Sequence, residues 1–303
     1  MDTFQFYFFI GCCAVYIIIG CSGNITSIFI FNKKEFKTQP TTTYLISLNV
    51  LNIICIVYLP FIIIAQLWTD IYDETISCQI FFGFMYILSE TQSLIYSLCS
   101  LDRCITIFAP LKYLKKNKLK FQLAILFMIS FIVVLLSVPT IYYAEKQVFE
   151  NQTVCDFKNG WSFKYSLYQY TLMRTIIPFL VTIISSLLTI YKLIASKLRL
   201  QARDWKKMKR EYHFARSLII MDLIFFLVRL PTLINNNIQN NTRFLYTFLY
   251  SVFCLMGAVH SVLLFLIFIV FNKIYRDLFK KIFSCKSNNV IISDEVFLDI
   301  PNH

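Results

Sequence analysis

Residues 121–144 read FQLAILFMISFIVVLLSVPTIYYA, 24 consecutive positions without a charged side chain. A helix needs about 20 predominantly apolar residues to cross the hydrocarbon layer of a bilayer, and this stretch meets that length. Working outward, equivalent charge-free runs cover 3–32, 38–69, 175–191 and 244–272. They explain why 57 % of the chain is hydrophobic and only 15 % charged, with a mean hydropathy of +0.63, a balance that excludes a water-soluble single core. None of the runs alternates strictly between apolar and polar residues, as strands of a membrane barrel must. The expectation is an all-α membrane protein without internal repeats, whose loops are too short to hold a soluble domain.

Seven helices fit at about 5–31, 42–67, 77–108, 120–143, 166–197, 206–237 and 244–271. The opening run is expected to be the first membrane helix, because its first residues carry Asp2 but no cation and it is too long for a signal-peptide core. The 29 Lys and Arg fall mainly on one side of this arrangement. Alternate connections hold three (Lys33, Lys34, Lys37), six (Arg103 to Lys120), nine (Lys192 to Arg216) and five (Lys273 to Lys286), while the opposite side has only Lys146, Lys158, Lys164 and Arg243. Cations concentrate on cytosolic loops, so the N-terminus is expected outside and the C-terminus in the cytosol. A multi-pass plasma-membrane protein follows. The net charge of +12 therefore points to anionic membrane lipids and cytosolic partners, not to nucleic acid.

Two further patterns agree with that orientation. The sequons at Asn151 and Asn240 lie in expected outside loops, whereas the third, at Asn24, is inside a helix and should stay bare. Of ten cysteines, only Cys78 and Cys155 lie at or beyond the expected outer surface, where oxidising conditions favour a disulfide. After the seventh helix, Ile274, Tyr275, Leu278, Phe279, Ile282 and Phe283 form one stripe opposite Lys273, Arg276, Lys280 and Lys281. This spacing defines an interfacial amphipathic helix over 272–284. Cys285 at its end is a palmitoylation candidate. Residues 1–286 would form the membrane domain and 287–303 a cytosolic tail.

The motifs present, in order, are Gly23-Asn24, Cys78, Asp102-Arg103-Cys104 placed 25 residues after that cysteine, Pro110, Pro139, Pro178, Pro231 and His260. This ordered set resembles the rhodopsin-like G-protein-coupled receptors, with His260 as in many chemokine, nucleotide and lipid receptors. The resemblance implies a seven-transmembrane helix bundle, a Cys78–Cys155 bridge, and contact of Asp102, Arg103 and Cys104 with a heterotrimeric G-protein. It also implies an ionic lock between Arg103 and Glu211, although Glu211 equally fits a solvated member of the mixed run 203–211. Several positions depart from the pattern. Asn52 replaces the sodium-binding Asp, Leu264-Phe265-Leu266-Ile267-Phe268 replaces Asn-Pro-x-x-Tyr, and Val228-Arg229-Leu230-Pro231 replaces Cys-Trp-x-Pro. Richness in Ile, Phe, Lys and Asn together with eroded motifs is similar to virus-encoded receptors, herpesviral ones especially, which would place the protein in a host cell membrane.

Charges at membrane depth require a partner or a purpose, since each costs roughly 2.5–3.5 kcal/mol on insertion scales. On the family architecture Glu90 and Arg174 face one another, either as a buried pair or as ligand-cavity residues. Arg229 would adjoin His260 at the cavity floor, and Asp222, two turns earlier on the same helix, is too distant to pair with it. The candidate cavity comprises Tyr86, Glu90, Arg174, Phe225, Arg229 and His260, with Phe226 beside them. Its cations suit a small anionic lipid-like ligand. No metal-ligand cluster, phosphate loop or catalytic carboxylate pair is visible, so neither catalysis nor a cofactor is expected. The alternative to a signalling receptor is a signalling-poor seven-helix protein that heteromerises with or diverts host receptors.

Overall fold

The computed structural model describes residues 3–37, 39, 41–67, 75–108, 118–149, 152–157, 160–197, 214–228, 230 and 259–283. Within them the first four long helices are Thr3–Phe31, Thr42–Leu67, Thr75–Phe108 and Lys118–Tyr142. The fifth combines Gly160–Thr171, a π-turn over Leu172–Ile176 and Ile177–Lys197. The sixth and seventh are described over 214–228 and 259–271. A short helix, Lys34–Lys37, links the first two, and the interfacial helix Lys273–Phe283 follows the seventh.

These helices pack around the third, the longest, which touches the second, fourth and fifth. The fourth is apolar on all sides, with Phe127 75 % exposed and stacked against exposed Phe131. In water such a surface would collapse; in a bilayer, lipid covers it. Pro139 sits in the last turn of this helix. Pro178 lies just beyond the π-turn, whose C-terminal N–H, on Ile177, donates to the Leu172 carbonyl. One extra residue in that turn, which contains Arg174, shifts the phase of everything N-terminal to it, Gln169 and Tyr170 included.

Close approach of the first and seventh helices depends on a missing side chain. A Cβ on Gly23 would overlap the ring of Phe265, and one on Gly20 would come within 2.7 Å of Ile56 and 3.0 Å of Val262. Phe265 stands where the resemblance expects proline, so Gly23 accommodates the substituted residue.

One element went unread in the sequence. Residues 144–149 and 152–157 pair as an antiparallel hairpin, β1 (Ala144–Phe149) and β2 (Gln152–Phe157), with Lys146 opposite Cys155. It lies between the fourth and fifth helices, and β1 packs on the third. Its strand formers, Val148, Phe149, Thr153, Val154 and Phe157, fall without the two-residue alternation that would register as a period. The fifth helix also begins at Gly160, not near 166.

Candidate functional site

At one end of the bundle the third helix presents Asp102 and Arg103, 3 % and 2 % exposed. Thr41 Oγ1 donates to Asp102 Oδ2 at 2.9 Å and Gln122 Nε2 to Oδ1 at 3.4 Å, tying the carboxylate to the second and fourth helices. Arg103 Nη1 donates to Gln39 Oε1 at 3.2 Å. Its guanidinium lies 4.9 Å from the ring centroid of Phe214, on the sixth helix. The next residue, Cys104, is buried against Thr189 of the fifth helix.

Phe214 belongs to a ring cluster drawn from five segments. Its centroid is 6.2 Å from Phe36 and 5.9 Å from Phe268. Phe36 lies 5.3 Å from Phe31 and 6.3 Å from Tyr275. Two hydrogen bonds hold the cluster's edges: Thr42 Oγ1 to the Phe36 carbonyl at 2.6 Å, and the Tyr275 hydroxyl with Ser27 Oγ at 2.7 Å. Burial pushes the Tyr275 phenol up to about 12, so it remains a neutral hydroxyl.

Midway along the bundle, the Asn52 position is part of an amide chain. Asn52 Nδ2 donates to Asn24 Oδ1 at 3.1 Å, and Gln92 Nε2 donates to Asn52 Oδ1 at 2.5 Å and to Ser261 Oγ at 3.0 Å. Asn24 Nδ2 closes the chain on the Ser261 carbonyl at 2.9 Å. Four helices are thus joined without a carboxylate, and Asn24 is wholly buried, which leaves its sequon inaccessible. His260 adjoins this chain, its Nε2 3.5 Å from Ser261 Oγ. It meets Tyr96 and Phe225 edge-on at 5.5 and 5.1 Å, while those two rings stack at 4.7 Å. Phe225, His260 and Tyr96 therefore form one closed aromatic cluster. The neighbouring Phe226 stacks on Phe179 of the fifth helix at 3.9 Å.

Asp222 acquires partners that its own helix could not supply. Ser100 Oγ donates to its Oδ2 at 2.6 Å and Ser186 Oγ at 3.3 Å, so the carboxylate bridges the third, fifth and sixth helices.

Toward the hairpin end, Glu90 and Arg174 do not close on each other. Gln169 Nε2 donates to Glu90 Oε2 at 3.1 Å and to Ser137 Oγ at 3.2 Å, while Thr140 Oγ1 donates to Gln169 Oε1 at 2.8 Å. Glu90 Oε1 and Arg174 Nε are buried without a hydrogen-bond partner. The Arg174 guanidinium lies over Tyr170, 4.5 Å from its centroid, and Tyr170 meets Tyr86 at 6.2 Å. The two charges of the expected buried pair make no direct hydrogen bond: a glutamine meets one oxygen of the carboxylate and an aromatic face meets the guanidinium, and the charges act on each other only across the gap between them.

Cys78 is wholly buried and disulfide-bonded. Glu211, Arg229, Asn151, Asn240 and Cys285, and the tail 287–303, lie outside the described residues, as does the side chain of Cys155. Gln39, Phe36, Phe214, Gln92 and Gln169 were not singled out in the sequence. Only Phe36 carried a signal, an isolated aromatic within a lysine-rich loop.

The family model of the 7 transmembrane receptor (rhodopsin family) matches residues 23–268, most of the chain. The protein belongs to this family: it is a seven-transmembrane receptor of the G-protein-coupled type, a membrane protein and not an enzyme. No curated protein matches it.

Proposed function

We propose that this receptor transmits an extracellular or membrane-derived signal, or its own basal activity, to heterotrimeric G-protein through Arg103. One observation carries the reading: Arg103 is held by an amide, Gln39, and a ring, Phe214, both on segments other than its own helix. Moving the sixth helix away would remove the ring and open the guanidinium to a partner. The orientation follows the cations, with Arg103 facing the cytosol of the plasma membrane and the hairpin outside. That orientation accords with Cys78–Cys155 pairing: among the described residues Cys12, Cys13, Cys21, Cys99 and Cys104 are free thiols, and β1, the strand paired with that of Cys155, packs on the helix of Cys78. It also makes Asn151 and Asn240 glycan acceptors and Cys285 a palmitoylation site.

For the ligand, the proposal is a small anionic amphiphile whose headgroup meets Arg174 and Arg229. Arg174 supports it, a cation at membrane depth on an aromatic face, and a guanidinium suits phosphate or carboxylate. His260, enclosed by Tyr96 and Phe225, forms the floor beneath. In a lipid-library screen at matched surface level, Arg229→Gln should lose the response that Arg229→Lys retains; equal responses would remove the headgroup role.

A panel of G-protein classes, read without added ligand, tests the main reading. Wild type should raise at least one output and Arg103→Ala should abolish it. Silence across all classes, with normal surface expression, would favour a signalling-poor protein that heteromerises with other receptors.

A further inference from the structure

Two opposite charges, one on the third helix and one on the fifth, lie within electrostatic reach of each other, and each keeps an unsatisfied atom. Glu90 is wholly buried, and only its Oε2 is bonded, by Gln169 at 3.1 Å. Helical side chains lean toward the N-terminus of their helix. Arg174 accordingly runs back from the π-turn to the level of Tyr170, whose ring it covers at 4.5 Å. Gln169 and Tyr170 are adjacent in the chain, so the amide that holds Glu90 and the ring that holds Arg174 stand side by side. Glu90 Oε1 lacks a donor, and Arg174 Nε lacks an acceptor. A buried charged group left without its hydrogen bond is costly, and each of these atoms supplies what the other is missing.

An arginine side chain can turn about its own bonds from one staggered rotamer to another without moving its helix. Turned away from Tyr170, the guanidinium exchanges a ring face for a carboxylate oxygen, and a charge-assisted hydrogen bond is the stronger contact. The same guanidinium is the one on which the proposed function places an anionic headgroup. Glu90 and that headgroup then compete for one cation. We propose that Glu90 is a built-in competitor at the ligand site: without ligand it draws Arg174 off Tyr170 onto Oε1, and an anion binds by displacing it. The inference rests on the headgroup reading for Arg174 and adds the residue that sets the threshold for it.

The test uses the purified full-length chain in dodecyl maltoside micelles, with dodecyl phosphate as the anionic probe and the shift in thermal midpoint as the readout. Each variant's shift is taken from its own probe-free midpoint, and the half-saturating mole fractions are compared. Apparent affinity falls in proportion to the fraction of receptor whose site is free. Glu90→Gln keeps an acceptor for Gln169 but loses the competing charge, so it should half-saturate at about tenfold less probe than wild type. Gln169→Leu should act the other way, because Glu90 keeps its charge and both its oxygens are free for Arg174. Thr140→Val, which removes the hydroxyl that donates to Gln169 Oε1 at 2.8 Å, repeats that arm if Gln169→Leu does not fold. Arg174→Gln should abolish the shift. Unchanged half-saturation in Glu90→Gln, beside an Arg174-dependent shift in wild type, would overturn the competition and leave the headgroup reading standing. Unchanged or tighter binding in Gln169→Leu would also overturn it, since Glu90 would then act on the probe through its field alone. A shift that survives Arg174→Gln, or no shift in any of these chains, would refute the headgroup reading itself.

Discussion

Replacing Phe214 by leucine keeps an apolar side chain beneath Arg103 but removes the aromatic face. In the closed arrangement the ring lies 4.9 Å from the guanidinium carbon and 6.2 and 5.9 Å from the rings of Phe36 and Phe268. A cation–π contact contributes about 0.5–2 kcal/mol and an aromatic pair about 0.5–1.5 kcal/mol beyond its area. Leucine recovers the burial but not these geometric terms, so the closed arrangement should lose about 1–2 kcal/mol, a shift of roughly 5- to 30-fold in the population ratio. Phe214→Leu should therefore raise ligand-independent output severalfold in cells at matched surface level, and adding Arg103→Ala should abolish the gain. Gln39→Ala removes a second restraint, a hydrogen bond to a charged donor worth about 1.5–3 kcal/mol, and should act in the same direction. Since Gln39 is only partly buried, that variant separates release of Arg103 from loss of fold. If both variants leave basal output unchanged or lower it, Phe214 and Gln39 do not restrain Arg103 and the reasoning fails.

Non-reducing peptide mapping of surface-expressed protein should recover Cys78 linked to Cys155; free alkylation of Cys155 would show that another cysteine bridges Cys78. Gly23→Ala should lower the thermal midpoint, because the new Cβ overlaps the Phe265 ring. Adding Phe265→Ala should restore part of that loss, and no recovery would place the strain elsewhere.

The helix bundle was legible because bilayer physics leaves a coarse mark: spans such as 121–144 must be apolar whatever they pack against. Arg103 was legible because its neighbours in sequence, Asp102 and Cys104, travel with it as a motif. What surrounds Arg103 was not. Gln39 and Phe214 reach it from separate segments, and no local period records a long-range contact. The same holds for Gln169, which takes the Glu90 carboxylate from the fifth helix. Two opposite charges at similar depth read as a pair, but the competing amide is one ordinary polar residue on a helix segment that also carries Ser162, Lys164 and Ser166. The π-turn at Leu172–Ile176 escaped for a related reason, since helical periodicity assumes a constant phase and a single extra residue breaks it. Asn52 shows the reverse case. The missing carboxylate was visible in the sequence, while its replacement, the chain through Asn24, Gln92 and Ser261, needed the fold.

The central claim, that Arg103 passes the receptor's conformational state to heterotrimeric G-protein, can be measured without cells. Purified wild-type receptor and the Arg103→Ala variant, each in lipid nanodiscs, would be mixed with G-protein heterotrimers of each class and nucleotide exchange followed with a non-hydrolysable GTP analogue. The account predicts faster exchange with wild type than with empty nanodiscs for at least one class, and no acceleration with Arg103→Ala. Equal acceleration by both proteins would contradict it, because exchange would then be driven without the residue on which the coupling is placed.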